Sequence, residues 1–77
     1  MTLTQLNKGD HATIVKINAD KALKERLASF GIVRGEEISL KGCSIGKQTI
    51  EIDVDGTFIA LRAEEAEKIE VEKIEKD

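Results

Sequence analysis

The 77 residues, 40% hydrophobic and 35% charged with a net charge of −3, describe one domain with a modest core and too few apolar runs to cross a bilayer. A single cysteine, Cys43, excludes an internal disulfide, and a single histidine, His11, leaves few soft metal ligands. Residues 1–47 carry eight Lys/Arg against five Asp/Glu and residues 48–77 four against ten, an acidic second half that repels nucleic-acid phosphate.

Leu3 and Leu6 form an apolar start before the Lys8-Gly9-Asp10 turn. His11 to Ile17 is rich in β-formers and predicts the first strand. Ile14 and Ile17 fall on opposite faces of a regular strand, which predicts a bulge or a strong twist between them. Asn18 and Asp20 then offer N-cap oxygens to a helix over Lys21–Phe30. Leu23, Leu27 and Phe30 recur at i, i+4 and i+7, so one helical face is apolar. Gly31 supplies a left-handed residue that ends the helix.

A second strand is expected over Gly35–Lys41 with Ile38 and Leu40 inward, followed by a flexible loop over Gly42–Gly46. Gln48–Asp55 is the clearest element: Ile50, Ile52 and Val54 alternate with Thr49, Glu51 and Asp53, giving one buried face and one wet. Asp55-Gly56 is a two-residue hairpin signal. With that loop, Val54 meets Thr57, Ile52 meets Ile59 and Ile50 meets Leu61, so every aliphatic shares a face. Phe58 is then on the outer face opposite Asp53, where a loop or terminus is expected to cover it. Ala63–Lys68 resembles one helical turn, and Lys68–Glu72 predicts a last short strand with Ile69 and Val71 inward, fraying beyond Ile74. The expected fold is mainly β: five short strands closing into a small barrel, one helix after the first strand and a helical turn before the last. Left flat, the sheet exposes two edges.

Little in this order of elements suggests chemistry. A structural zinc site takes four N/S ligands, and only His11, Cys43 and the thioether of Met1 are available; His11 is read as a half-exposed strand-end residue. Glu36-Glu37, Glu64-Glu65 and Asp53-Asp55 are hard-cation ligands without a calcium-loop pattern. A nucleophilic Cys43, with Lys41 and Lys47 nearby, needs His11 as its base from far along the chain. There is no phosphate-binding loop and no nucleophile elbow. No catalysis and no resident cofactor are expected. Two aromatics, Phe30 and Phe58, do not build a base-stacking platform. Partner binding remains, with Phe58, the loop residues Cys43, Ile45 and Lys47, and the basic set Arg26, Arg34 and Arg62 as candidates. Weighed against that, Ile45 is a loop anchor folding back on the barrel, and Arg26 is surface charge bridging Glu25 or Asp20.

Leu6 and Gly9, then Leu27–Gly35, the hairpin, Ile59-Ala-Leu-Arg62, Ala66 and Ile69-Glu-Val71 occur in an order and spacing that resembles the FeoA family, small cytosolic proteins of bacterial ferrous iron uptake. The resemblance runs from Leu3 to Val71. Many members have Gly-Pro before the third strand, where this chain has Gly46-Lys47-Gln48. The resemblance implies an SH3-like barrel, and an accessory role on the cytosolic GTPase portion of the membrane transporter FeoB, without carrying the ion. Similar barrels end the iron-dependent repressors of the diphtheria toxin repressor family, after a helix-turn-helix for which this chain has no segment. The alternative is a small metal-binding or metal-sensing protein holding Fe²⁺ or another divalent metal through His11, Cys43 and carboxylates. The chain lacks the basic start and apolar stretch of a signal peptide, so the expected location is cytoplasmic, with membrane contact only through the partner.

Overall fold

A computed structural model describes residues 1–75, without the Lys47 side chain. In chain order the elements are a 3-10 turn at Leu3–Gln5, β1 (His11–Ile17), α1 (Lys21–Ser29), β2 (Glu37–Cys43), a 3-10 turn at Ile45–Lys47, β3 (Thr49–Val54), β4 (Thr57–Arg62), α2 (Ala63–Ala66) and β5 (Ile69–Ile74). The strands form one antiparallel sheet in the order β4-β3-β2-β1-β5.

The hairpin has the register its sequence predicts: Val54 pairs with Thr57, Ile52 with Ile59 and Ile50 with Leu61. Asp55 (φ 52°) and Gly56 (φ 85°) both take left-handed backbone, as a tight two-residue turn requires. The Asp53 carboxylate accepts from the Gly56 N–H at 2.8 Å. The predicted irregularity in β1 is also present, where pairing with β5 shifts between Ile14 and Lys16. The extra residue is Val15. Its insertion reverses the strand's parity, so Ile17 packs against the core while Val15 stays 38% exposed.

Asp20 caps α1 by accepting from the Leu23 N–H at 2.8 Å. At the other end Gly31 (φ 85°) closes a Schellman motif. Its N–H donates to the Ala28 carbonyl at 2.9 Å, and the Ile32 N–H donates to the Leu27 carbonyl at 3.0 Å. Leu27 and Ile32, on the two sides of this turn, are fully buried.

Most element boundaries differ from the sequence reading by a residue or two; β3 is Thr49–Val54 rather than Gln48–Asp55, α2 ends at Ala66, and β5 begins at Ile69. α1 ends at Ser29, one residue earlier, and Phe30 becomes the C-cap, 42% exposed instead of completing the buried stripe. β2 begins at Glu37, because Gly35 and Glu36 are spent on a turn whose N–H and C=O bond to Ile14. It then continues through Gly42 and Cys43, so the expected loop is shorter and contains a 3-10 turn. A second bulge, between Leu40 and Gly42, leaves Lys41 as the extra residue. β5 runs on to Ile74 because His11 and Ala12 pair with Ile74 and Lys73.

The core is one cluster of aliphatics lined by the inner faces of all five strands, with Leu27 and Ile32 from the helix region and Leu3, Leu6 and Ala66 closing it. β4 and β5 stand at opposite ends of the strand order, and α2 and the first 3-10 turn contact each other beside them. The N-terminal segment also pairs with β5: Thr2 bridges Glu70, and the Val71 N–H donates to the Met1 carbonyl at 2.8 Å. That edge is thereby protected from foreign strands. No helix is long and apolar enough to cross a membrane among the described residues.

Candidate partner-binding surface

Phe58 is the largest departure from what its sequence suggests. It lies opposite Asp53 on the outer face, as the register requires, but among the described residues no loop or terminus covers it, and 64% of it is exposed. The reason is local. The N-terminal segment is committed to the β5 edge and α2 to the region between β4 and the first turn, so neither reaches the outer face of the hairpin. The bulge residue Lys41 extends over the ring instead, with its Nζ 5.9 Å from the ring centroid and 4.0 Å from an Asp53 carboxylate oxygen. Such a cation over an exposed ring contributes about 0.5–1 kcal/mol. It orients the ring without hiding it.

Ala60, two residues from Phe58 on the same face of β4, lines a shallow hollow with Gly42, Cys43, Ser44, Thr49 and Glu51. Two strand residues span about 7 Å, so Phe58 and this hollow are neighbours. Ser44 shapes the turn beyond it by accepting from the Thr49 N–H through its hydroxyl at 3.0 Å. Ile45 does not fold back as an anchor: it is fully exposed at the tip of this turn. Lys47 ends the turn, and its side chain lies outside the described residues. The structure therefore places Phe58 near the Asp55-Gly56 turn and Cys43 and Ile45 toward the opposite end of β3, with the hollow between them on the outer face.

The arginines do not make a common set. Arg26 reaches neither Glu25 nor Asp20 but pairs through its guanidinium with Glu65 of α2. Glu65 is one of only two buried polar residues in the described chain and also accepts from the Arg62 N–H at 3.0 Å. That backbone hydrogen bond holds its carboxyl below the ordinary glutamate value, against the opposing effect of burial and with help from Arg26. Arg26 thus ties α1 to α2 as a structural clasp. Arg62 lies exposed, 3.8 Å from Glu64. Arg34 follows Ile32 and Val33 to the rim of a separate groove beside α1.

That groove was not legible in the sequence. It measures about 540 Å³ and runs between Lys24 and Ala28 of α1, the Val15–Ile17 bulge of β1, and Ile32–Arg34. The signal available was the parity conflict between Ile14 and Ile17. A bulge had to put one apolar residue outside, and that residue is Val15.

The geometry offers no ligand set built from His11 and Cys43. His11 pairs with Ser39, and Cys43 lies four residues farther along β2. At about 3.3 Å per residue the two are ~13 Å apart, too far for a shared ion or a base–nucleophile contact. His11 Nδ1 instead lies 3.5 Å from Glu37. Among the described residues no three of His, Cys, Asp and Glu are grouped to hold a metal ion.

Other structures share this architecture. The solution structure of FeoA from Chlorobium tepidum superposes with a TM-score of 0.92 over all of this chain and 73% of its own, at 31% identity. The zinc-complexed FeoA of Stenotrophomonas maltophilia, described as a procaryotic SH3 domain protein, matches at TM-score 0.80 and 30% identity over 94% of this chain and 89% of its own. The fold is therefore that of an SH3-like β domain. The FeoA domain model matches residues 1–73. A relative from Campylobacter jejuni, named a putative Fe(2+) transport protein A, is 40% identical over 96% of this chain and its own full length. The chain belongs to the FeoA family. A Porphyromonas gingivalis relative is named a fusion of Fe(2+) transport protein A with the Fe(2+) transporter FeoB; 96% of this chain aligns at 32% identity to 9% of its length.

Proposed function

We propose that this protein is a cytosolic accessory of bacterial ferrous iron uptake that docks on the cytosolic GTPase portion of a FeoB-type transporter and adjusts its activity, without catalysis and without carrying the ion. The observation that carries the docking reading is Phe58, a large aromatic 64% exposed and oriented by Lys41, on an outer face that continues through Ala60 into the hollow at Cys43. Aromatic anchors ringed by polar residues are typical centres of protein interfaces. Family membership supplies the setting. In the fused relative the two parts share one chain, and tethering of this kind gives weakly associating partners a high effective concentration. In this reading Lys47 and Arg62 belong to the rim of the contact.

The test is a two-dimensional amide NMR titration of labelled protein with the soluble cytosolic domain of its transporter. Shifts confined to residues 42–48 and 53–60 are the expected result. A spectrum that stays silent at high partner concentration contradicts docking on that domain.

A further inference from the structure

The groove beside α1 has a composition that selects its occupant. Val15 and Val33 are 38% and 40% exposed on its walls, and Ile17, Ala28 and Ile32 complete an apolar floor. Its only charged lining residues are cations: Lys16, Lys24 and Arg34. None of the three has an acidic partner within salt-bridge distance among the described residues, in a chain whose net charge is −3. Lys21 precedes Lys24 and Ala28 on the same helix face and extends the positive side.

We propose that this groove binds an acidic amphipathic segment of a partner protein, its aliphatic side chains seated between Val15, Ile17, Ala28 and Val33 and its carboxylates on Lys16, Lys24 and Arg34. An apolar trough with charge on one side is the complement of an amphipathic helix or strand. Unpaired cations at its rim favour a segment of opposite charge and disfavour a basic one. The volume of about 540 Å³ accommodates several side chains rather than a whole domain face. The occupant is a protein segment and not a lipid surface, because the apolar residues line a concavity; a membrane-binding face presents them on a convex one. The inference stands on the groove alone and holds whether or not the transporter is the partner.

Two synthetic peptides of equal length test it, both with leucines at helical spacing, one carrying glutamates at the remaining positions and the other lysines. Amide shifts of labelled full-length protein are followed with each. The acidic peptide is expected to move Val15–Ile17, Lys24–Ala28 and Ile32–Arg34, and raising salt from about 50 to about 500 mM weakens it several-fold by screening. The double variant Lys24→Glu/Arg34→Glu, both exposed positions, is expected to lose at least about tenfold in affinity for the acidic peptide, and its dispersed spectrum confirms folding. Equal binding of both peptides, shifts outside the groove, or no shift at millimolar acidic peptide overturns the proposal. So do groove shifts that grow with protein concentration alone, which make the occupant a second copy, or that arise only with phosphatidylglycerol vesicles.

Discussion

Phe58 and Glu65 stand at opposite extremes of exposure, one open to solvent and the other buried in a clasp. Phe58 is mostly exposed, so Phe58→Ala is expected to lower the unfolding free energy by no more than about 1 kcal/mol, the size of the lost Lys41 contact. Matched chemical-denaturation curves of the two proteins check this; a large loss means that the ring is part of the core after all. Glu65 is the opposite case. Its carboxyl is held below its ordinary value in the folded state, so the stability it confers is complete above that ordinary value and is lost as pH falls through the lowered one. Thermal unfolding between pH 7 and pH 3 is expected to show a declining Tm at the acid end. In Glu65→Gln that decline is shallower, and stability at neutral pH falls by about 1–2 kcal/mol as the hydrogen bond from Arg62 and the Arg26 pair weaken. An unchanged acid slope in the variant contradicts the clasp. For His11 and Cys43, separated along the sheet, an anaerobic titration with Fe²⁺ is expected to give no stoichiometric binding that His11→Ala or Cys43→Ser removes.

At the scale of elements, local chemistry carries most of the structure. The alternation of Ile50, Ile52 and Val54 with the Asp55-Gly56 turn fixes the hairpin register from sequence alone, because a slip by one residue turns every aliphatic outward. The helix cap at Asp20 and the stop at Gly31 are equally local and equally legible. Gly31 combines positive φ with a site where an added Cβ meets Val54 Cγ1 at 3.4 Å. Gly31→Val is therefore expected to cost about 1–2 kcal/mol from backbone strain, read as a lower denaturation midpoint with an unchanged slope. Leu27→Ala, at the fully buried centre of the helix face, costs about 2–5 kcal/mol in the same assay. The bulges divide differently. The one in β1 announces itself through two isoleucines of conflicting parity. The one at Lys41 has no such mark, since a lysine suits either position and only the pairing of Leu40 with Ile52 and of Gly42 with Glu51 reveals it.

For the molecule as a whole, the sequence conveys the sheet and the family pattern but not what covers what. Coverage depends on where long-range segments settle. The N-terminal residues go to β5 and α2 goes to the Arg26 clasp, and Phe58 and the β1 bulge are left open. The candidate residues consequently sort into three environments. Phe58, Cys43 and Ile45 are spread along the outer face of β2–β4, Arg34 belongs to the groove, and Arg26 is structural. The two open apolar surfaces, Phe58 and the groove at the β1 bulge, are what the proposed docking rests on.

The most direct check of the docking account is calorimetric titration of the transporter's isolated cytosolic domain with the native protein and with Phe58→Ala/Ile45→Ser, once both are shown to unfold at the same temperature. The account predicts saturable binding by the native protein and at least about a tenfold loss in the variant, the size expected when an interface anchor is removed. Equal affinity of the two proteins contradicts the assignment of that surface, and no binding by either contradicts docking on that domain.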